Sequence, residues 1–272
     1  GITRAAVAGA AREPRRVMVV VPADHWIDGG PVFHRCVQAA IGAATAHGSI
    51  VTIGIRPTHA HPGLGYLCAG ERLPGGHAAG IFRLSRFVEK PAPATARRLL
   101  RRPRTYWNSG MFVGTAEAFL ERITEWLPEH SRRLVPLAET LRRWANGRGA
   151  PGGALATRVQ RAYRPLHPVS FDHGVMDHLR DGLVVEGDFG WEDLGSWDAW
   201  ARLYPTSQRL LLDGRNVTVV SQEPHLVATI GVSDLVVVHT PTAPLSCPPS
   251  RAPQVRELVR QVSKNPRLAS YR

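Results

Sequence analysis

Arg16-Val17-Met18-Val19-Val20-Val21-Pro22-Ala23-Asp24-His25 is the stretch whose reading decides the fold. Its apolar run is entirely β-branched apart from Met18, which reads as a strand buried on both faces, as in a parallel sheet. Pro22 has no N–H to give a ladder, so pairing ends there. Asp24 then falls just past the carboxyl end of a central strand, where open α/β sheets bind ligands. A carboxylate in such a turn serves a metal or phosphate site, or only the turn itself, and the run alone favours neither.

Outward from this strand, Val32, Phe33, Cys36, Val37, Ala40, Ile41 and Ala44 recur at helical spacing, and Gly48 is placed to end the helix. Ser49–Ile55 is the next buried strand, so a strand–helix–strand unit and a parallel sheet are expected. Ile2–Ala11 is Ala-rich and helical. Ile81–Val88 is extended, Ala94–Arg102 is a basic helix, and Tyr106–Val113 is a strand entered through a polar turn. Thr115 caps a helix carrying Phe119, Leu120, Ile123 and Leu127, which Pro128 stops. Asn146–Gly153 reads as a Gly-rich loop and Gly190–Trp197 as a polar, aromatic turn; between them Val175, Met176 and Leu179 mark a short helix and Leu183–Val185 a strand. From about Arg209 short β runs take over (Val217–Val220, Leu226–Ile230, Leu235–Val238), followed by a helix from Gln254 to Val262. The expected fold class is α/β: a doubly wound, mostly parallel, Rossmann-like sheet in residues 1–204, with a small β-rich unit in residues 205–272.

The chain has 272 residues, 43% of them hydrophobic and 21% charged, the balance of an ordinary globular protein. No apolar run approaches the roughly 20 residues of a membrane span, and no signal-peptide pattern opens the chain, so no membrane partner is expected. Cys36, Cys68 and Cys247 are odd in number and lack metal spacing, which fits reduced thiols in the cytoplasm. The net charge of +12 raises nucleic acid as a partner. Against it, the excess is nearly all Arg, spread along the chain without aromatic interleaving. The opposite bias holds from Asp172 to Asp198, where eight of the 22 acids lie with a single Arg180. That segment reads as a cation site or as a solvated acidic face.

Single residues point the same way, each with a plainer alternative. Lys90, one of two lysines, sits between Glu89 and Pro91; a compact ammonium suits a phosphate, but a surface ion pair is the alternative. Asn108, between Trp107 and Ser109-Gly110, is placed to bind a polar ligand or to form a turn. Asp193, among aromatic residues and glycines, can be fixed for a hard cation. Gly63-Leu64-Gly65-Tyr66 permits close backbone approach to a ligand, or only a turn. No Ser/His/Asp arrangement is present, and the histidines lack metal spacing.

Taken in order, Val21-Pro22-Ala23-Asp24-His25, Gly54-Ile55-Arg56-Pro57-Thr58, Gly63-Leu64-Gly65-Tyr66, Phe87-Val88-Glu89-Lys90-Pro91, Trp107-Asn108-Ser109-Gly110-Met111-Phe112 and Trp191-Glu192-Asp193-Leu194-Gly195-Ser196-Trp197 resemble the bacterial mannose-1-phosphate guanylyltransferases. Val227–Val238 and Gln254–Val262 are similar to that family's small C-terminal segment. The resemblance implies a nucleotidyltransferase fold and transfer of GMP from GTP to mannose 1-phosphate, giving GDP-mannose and pyrophosphate. GTP and mannose 1-phosphate are then the partners and Mg²⁺ the cofactor; a homodimer is left open. By the same resemblance Asp24 and Asp193 hold Mg²⁺ and, with Lys90 on the sugar phosphate, form the catalytic set. Glu89 and Asn108 face the mannose hydroxyls, Gly65 the sugar region, and Asp172 a position near the substrate. In-line attack by a sugar-phosphate oxygen needs chiefly that two anions be positioned and their repulsion neutralised. Mg²⁺ on one or two carboxylates supplies this without a protein nucleophile.

The chain also departs from the family pattern. Nothing in it matches the glycine-rich, Arg- and Lys-bearing nucleotide loop, and His59-Ala60-His61-Pro62 and His173-Gly174 replace the usual residues. On that ground the chain by itself is expected to transfer little GMP. A non-catalytic remnant that binds a sugar phosphate, or a partner subunit, is the alternative.

Overall fold

In residues Gly1–Ala23 and Ile27–Trp191 the apolar runs assemble into a six-stranded sheet. The computed structural model describes residues 2–74, 80–138, 140, 152–195, 197–203, 209–221 and 226–271. The strand order is β1 (Val17–Val20), β6 (Thr105–Thr115), β3 (Val51–Ile55), β7 (Leu183–Gly187), β5 (Ile81–Val88), β4 (Tyr66–Arg72). Two further strands, β2 (His25–Asp28) and β8 (Gly190–Asp193), pair with each other. A short strand therefore stands where the sequence reading has a turn at Gly190, and another separates Asp24 from the helix that follows.

The sheet is mixed, which corrects the expectation of a mostly parallel one. Only β3 and β7 are parallel among its described pairs; the rest are antiparallel. Strands β1 and β3 do point the same way, as a strand–helix–strand unit requires, but β6 runs between them in the opposite direction. That insertion also moves β1 from its expected central place to the sheet edge. Val19 is 42% exposed and Val21 52%, so the run is not buried on both faces. Pairing does end at Val20, just before Pro22.

Alternate residues of the central strands enter two separate cores, one on each face. On one face Val51, Val113, Leu183 and Val185 meet the small side chains of α2 (Gly30–His47), including Cys36, Ala40 and Ala44. Gly48, at φ 62°, ends α2 and donates to the carbonyl of Ala44, as the sequence predicts. On the other face Ile50, Phe112 and Val184 pack with Ala6 of α1 (Ile2–Arg12) and with Phe119 and Ile123 of α4 (Ala116–Trp126). Helices thus cover both faces, the doubly wound arrangement. The Thr115 hydroxyl accepts from the N–H of Ala118 and caps α4. Pro128 both stops α4 and opens α5 (Pro128–Leu134). Among the described residues this unit also contains the α-helices α3 (Pro93–Leu100) and α6 (Gly152–Tyr163). The Gly-rich stretch from Asn146 falls outside the described residues as far as Pro151.

A second unit comprises Asp24–Trp26 and Glu192–Arg272. Compact packing thus divides the chain at Trp191, whereas the change of pattern in the sequence divides it at residue 204. After α7 (Trp197–Leu203) come two small sheets. In one, β10 (Arg215–Ser221) and β12 (Ser233–His239) are parallel and β13 (Pro244–Cys247) is antiparallel to β12. In the other, β9 (Arg209–Leu212) and β11 (Val227–Ile230) are parallel. Val217, Val219 and Val237 are the buried centre of this unit. The α-helix α8 (Val255–Lys264) follows these strands. Among the described residues no helix is long and apolar enough to cross a membrane.

Candidate active site

The tripeptide Asn108-Ser109-Gly110 interrupts β6 with a bulge. Thr52 of β3 pairs with Phe112 and Gly54 with Asn108, so the one intervening residue of β3, Ile53, stands opposite three of β6, Ser109, Gly110 and Met111. Gly110 makes this possible with a φ of 67°. The backbone groups stripped from the ladder are satisfied by the neighbouring side chains. Ser109 Oγ donates to the Ile53 carbonyl at 2.6 Å, and Asn108 Oδ1 accepts from the Gly110 N–H at 3.2 Å. The buried Thr52 hydroxyl donates to the same Oδ1 at 3.2 Å. Because a backbone N–H can only donate, the atom it faces is Oδ1, and Nδ2 must point the other way. There it donates to Asp172 Oδ1 at 2.8 Å.

The second strand end brings Glu89 and Lys90. Pro91 bars the residue before it from the right-handed helical region, and Lys90 stands at φ 40°, a conformation that a non-glycine residue seldom adopts. Its ammonium lies 3.3 Å from Glu89 and is largely exposed, whereas the Glu89 side chain is only 11% exposed. Glu89 leans over Gly65: a Cβ built there would come within 2.6 Å of the Glu89 carboxylate and 3.0 Å of the Phe87 ring. The Gly65 carbonyl accepts from the Asn108 N–H at 2.8 Å, tying the start of β4 to β6. The Tyr66 hydroxyl, bonded to the N–H and carbonyl of His61, closes the preceding loop.

Asp172 opens a single wide turn, Asp172–Met176, in which the N–H of Asp177 reaches back five residues to the Asp172 carbonyl at 3.0 Å. Such turns recur at functional sites. This replaces the ordinary short helix expected around Val175. Burial pushes the Asp172 carboxyl above its usual range; the hydrogen bond from Asn108, and then the charges of Lys90 and His173, pull it partly back. Glu89 is also raised, first by burial and then by the charge of Asp172, against Lys90 and His173. The set therefore offers two desolvated carboxyls for hydroxyl groups and one exposed ammonium for a phosphate.

A separate set lies in the second unit. The Asp24 carbonyl accepts from the Leu194 N–H at 3.1 Å, which joins residues far apart in the chain. Asp193 Oδ1 accepts from the Gly195 N–H at 2.9 Å, an Asx turn that leaves Oδ2 outside that bond. Burial pushes the imidazole of His25 down, while the charges of Asp193 and Asp24 pull it up, so both acids are its neighbours. Among the described residues no three His, Cys, Asp or Glu side chains gather as a complete metal cage. Two carboxylates fit Mg²⁺, which keeps waters and takes phosphate oxygens besides one or two protein ligands.

The expected residues thus fall into two sets, one in each unit: Gly65, Glu89, Lys90, Asn108 and Asp172 in the first, and Asp24 and Asp193 in the second. Sequence reasoning missed Thr52, and it noted His173 only as a departure. The signal for Thr52 is a single hydroxyl within the apolar strand Val51–Ile55.

Residues 3–208 match the nucleotidyl transferase family, and residues 207–262 match the MannoseP isomerase/GMP-like beta-helix domain. A mannose-1-phosphate guanylyltransferase of Salmonella muenchen is 33% identical over 92% of this chain and 52% of its own length. Xanthan biosynthesis protein XanB of Xanthomonas campestris pv. campestris is 33% identical over 96% of the chain and 55% of its own. The chain therefore spans about half the length of these relatives. The crystal structure of mannose-1-phosphate geranyltransferase from Thermus thermophilus superposes with a TM-score of 0.75 at 30% identity, over 96% of this chain and 73% of that one. With the fold and these matches in agreement, the chain belongs to the nucleotidyl transferase family, and over most of its length it is similar to mannose-1-phosphate guanylyltransferases.

Proposed function

We propose that the chain supplies the sugar-phosphate-binding and cation-binding parts of a reaction that transfers GMP from GTP to mannose 1-phosphate. The observation that carries this reading is the first set: an exposed ammonium beside two half-buried carboxyls, knitted together through Gly65 and Asn108. In this reading Lys90 takes the sugar phosphate as a point charge. Glu89 and Asp172 accept hydrogen bonds from ring hydroxyls. Gly65 leaves room for the ring, since any side chain there would displace Glu89. Asp24 and Asp193 would hold Mg²⁺, which when bound neutralises phosphate charge as the pyrophosphate leaves. The buried thiols of Cys36 and Cys68 suit a cytoplasmic setting.

Calorimetric titration of mannose 1-phosphate into the chain tests the assignment. Lys90→Ala is expected to weaken binding by about 10- to 100-fold, the worth of a charge-assisted hydrogen bond. Equal affinity in wild type and variant would remove Lys90 from the site.

A further inference from the structure

We propose that Thr52 is a positioning residue of the sugar-phosphate site: its buried hydroxyl fixes the amide of Asn108, and through that amide the carboxylate of Asp172. The proposal rests on the functional reading above for its ligand, but not for its geometry.

Asn108 has two acceptor sites and two N–H donors to assign. Oδ1 is engaged twice, by the Thr52 hydroxyl and by the Gly110 N–H. One N–H of Nδ2 goes to Asp172. A single N–H is left for a ligand, so most of the hydrogen-bonding capacity of Asn108 is taken up by the protein. The residue then acts less as a sugar ligand than as a bracket between β3 and Asp172. Thr52 is itself only 1% exposed, and its hydroxyl is linked to the Asp172 carboxyl through this bracket. The bulge gives the arrangement its purpose. It interrupts the ladder directly after Asn108, which still pairs with Gly54, and there the side-chain amide is held at Oδ1 by two ties, one to Gly110 and one to Thr52.

Thr52→Val removes the hydroxyl at nearly constant volume and leaves a buried Oδ1 lone pair unmet, whereas Thr52→Ser keeps the donor. The first readout is the titration of the Asp172 carboxyl, followed by carbon-13 NMR in the whole chain without ligand. Asn108 holds that titration down, so Thr52→Val is expected to move its midpoint upward and Thr52→Ser to leave it in place. Glu89, Lys90 and His173, the other groups acting on the carboxyl, are unchanged in both variants. The second readout is mannose 1-phosphate affinity, expected to fall about fivefold in Thr52→Val and to return in Thr52→Ser, the scale of one net hydrogen bond. If Thr52→Val does not fold, Thr52→Ala makes the same test. An Asp172 titration unmoved in the folded variant overturns the positioning role. A moved titration in a chain that binds no mannose 1-phosphate upholds it, and overturns the substrate assignment instead.

Discussion

The two acidic sets are held by different means. In the first unit Glu89 and Asp172 sit among strand ends, hemmed in by Gly65, Asn108 and Lys90, and burial raises both carboxyls. In the second, Asp24 and Asp193 are tied mainly through the main chain, by the Leu194 and Gly195 N–H groups, and burial is seen on His25 between them. A carboxyl already partly stripped of water is suited to hydroxyl groups, whose weak dipoles cannot offset the dehydration of a freely hydrated anion. A carboxylate tethered at one oxygen retains the other for a hydrated divalent cation. The contrast is one of chemistry: in the proposed function the first set would grip polar but uncharged groups beside a phosphate, and the second would hold a hard cation.

Breaking the second set should give the largest effect. Asp193→Asn, followed by the relaxation of bulk water with Mn²⁺ as a paramagnetic stand-in, is expected to weaken cation binding by at least about tenfold. Lys90→Ala should leave the same titration unchanged. Loss of Mn²⁺ binding in both variants would dissolve the distinction drawn here, because the two sets would then be acting as one. The first set is broken more locally by Gly65→Ala. The added Cβ meets both the Glu89 carboxylate and the Phe87 ring, so either the carboxylate is expelled or β5 shifts. Overpacking of this kind costs about 1–3 kcal/mol. The measurements are denaturant unfolding and mannose 1-phosphate titration, and both should worsen while Mn²⁺ binding holds.

How far the sequence foretold these sets depends on what a local pattern can carry. Strands β1 and β3 read almost alike, as short runs rich in β-branched residues. One is central, with all five residues buried, and the other is an edge. Apolar composition reports that a strand packs against something, not how many neighbours share its ladder, so the inserted β6 was invisible. Asn108-Ser109-Gly110 was legible as a break because glycine next to two side chains that bond to the backbone is a local signature. The tie from Asn108 to Asp172 spans 64 residues, and the tie to Thr52 depends on a bulge register that no spacing rule encodes. Pairing Asp24 with Asp193 came from the family resemblance alone. Periodicity offers no means of linking a residue after one strand to a turn so much later in the chain.

The smallest effect, and the one that sharpens the comparison most, is on stability. Glu89 is raised above its ordinary value of 4.5, mainly by burial. An acid raised in the folded state holds its proton longer there than in the unfolded chain. Its favourable contribution is therefore complete below the unfolded value and declines as pH rises through the folded one. At neutral pH the ionised Glu89 is accordingly a net burden on the fold. The exposed Lys90 does not offset it, since a pair with an ammonium 65% exposed is worth little. Glu89→Gln removes the charge at constant shape. Its melting temperature is expected to exceed that of wild type at neutral pH and to converge with it in acid, while mannose 1-phosphate binding falls. Such a trade, greater stability with weaker binding, is the usual mark of a functional residue. A variant melting below wild type at neutral pH would mean that the Lys90 pair outweighs burial, and that the first set is held by its charges as the second is by its backbone.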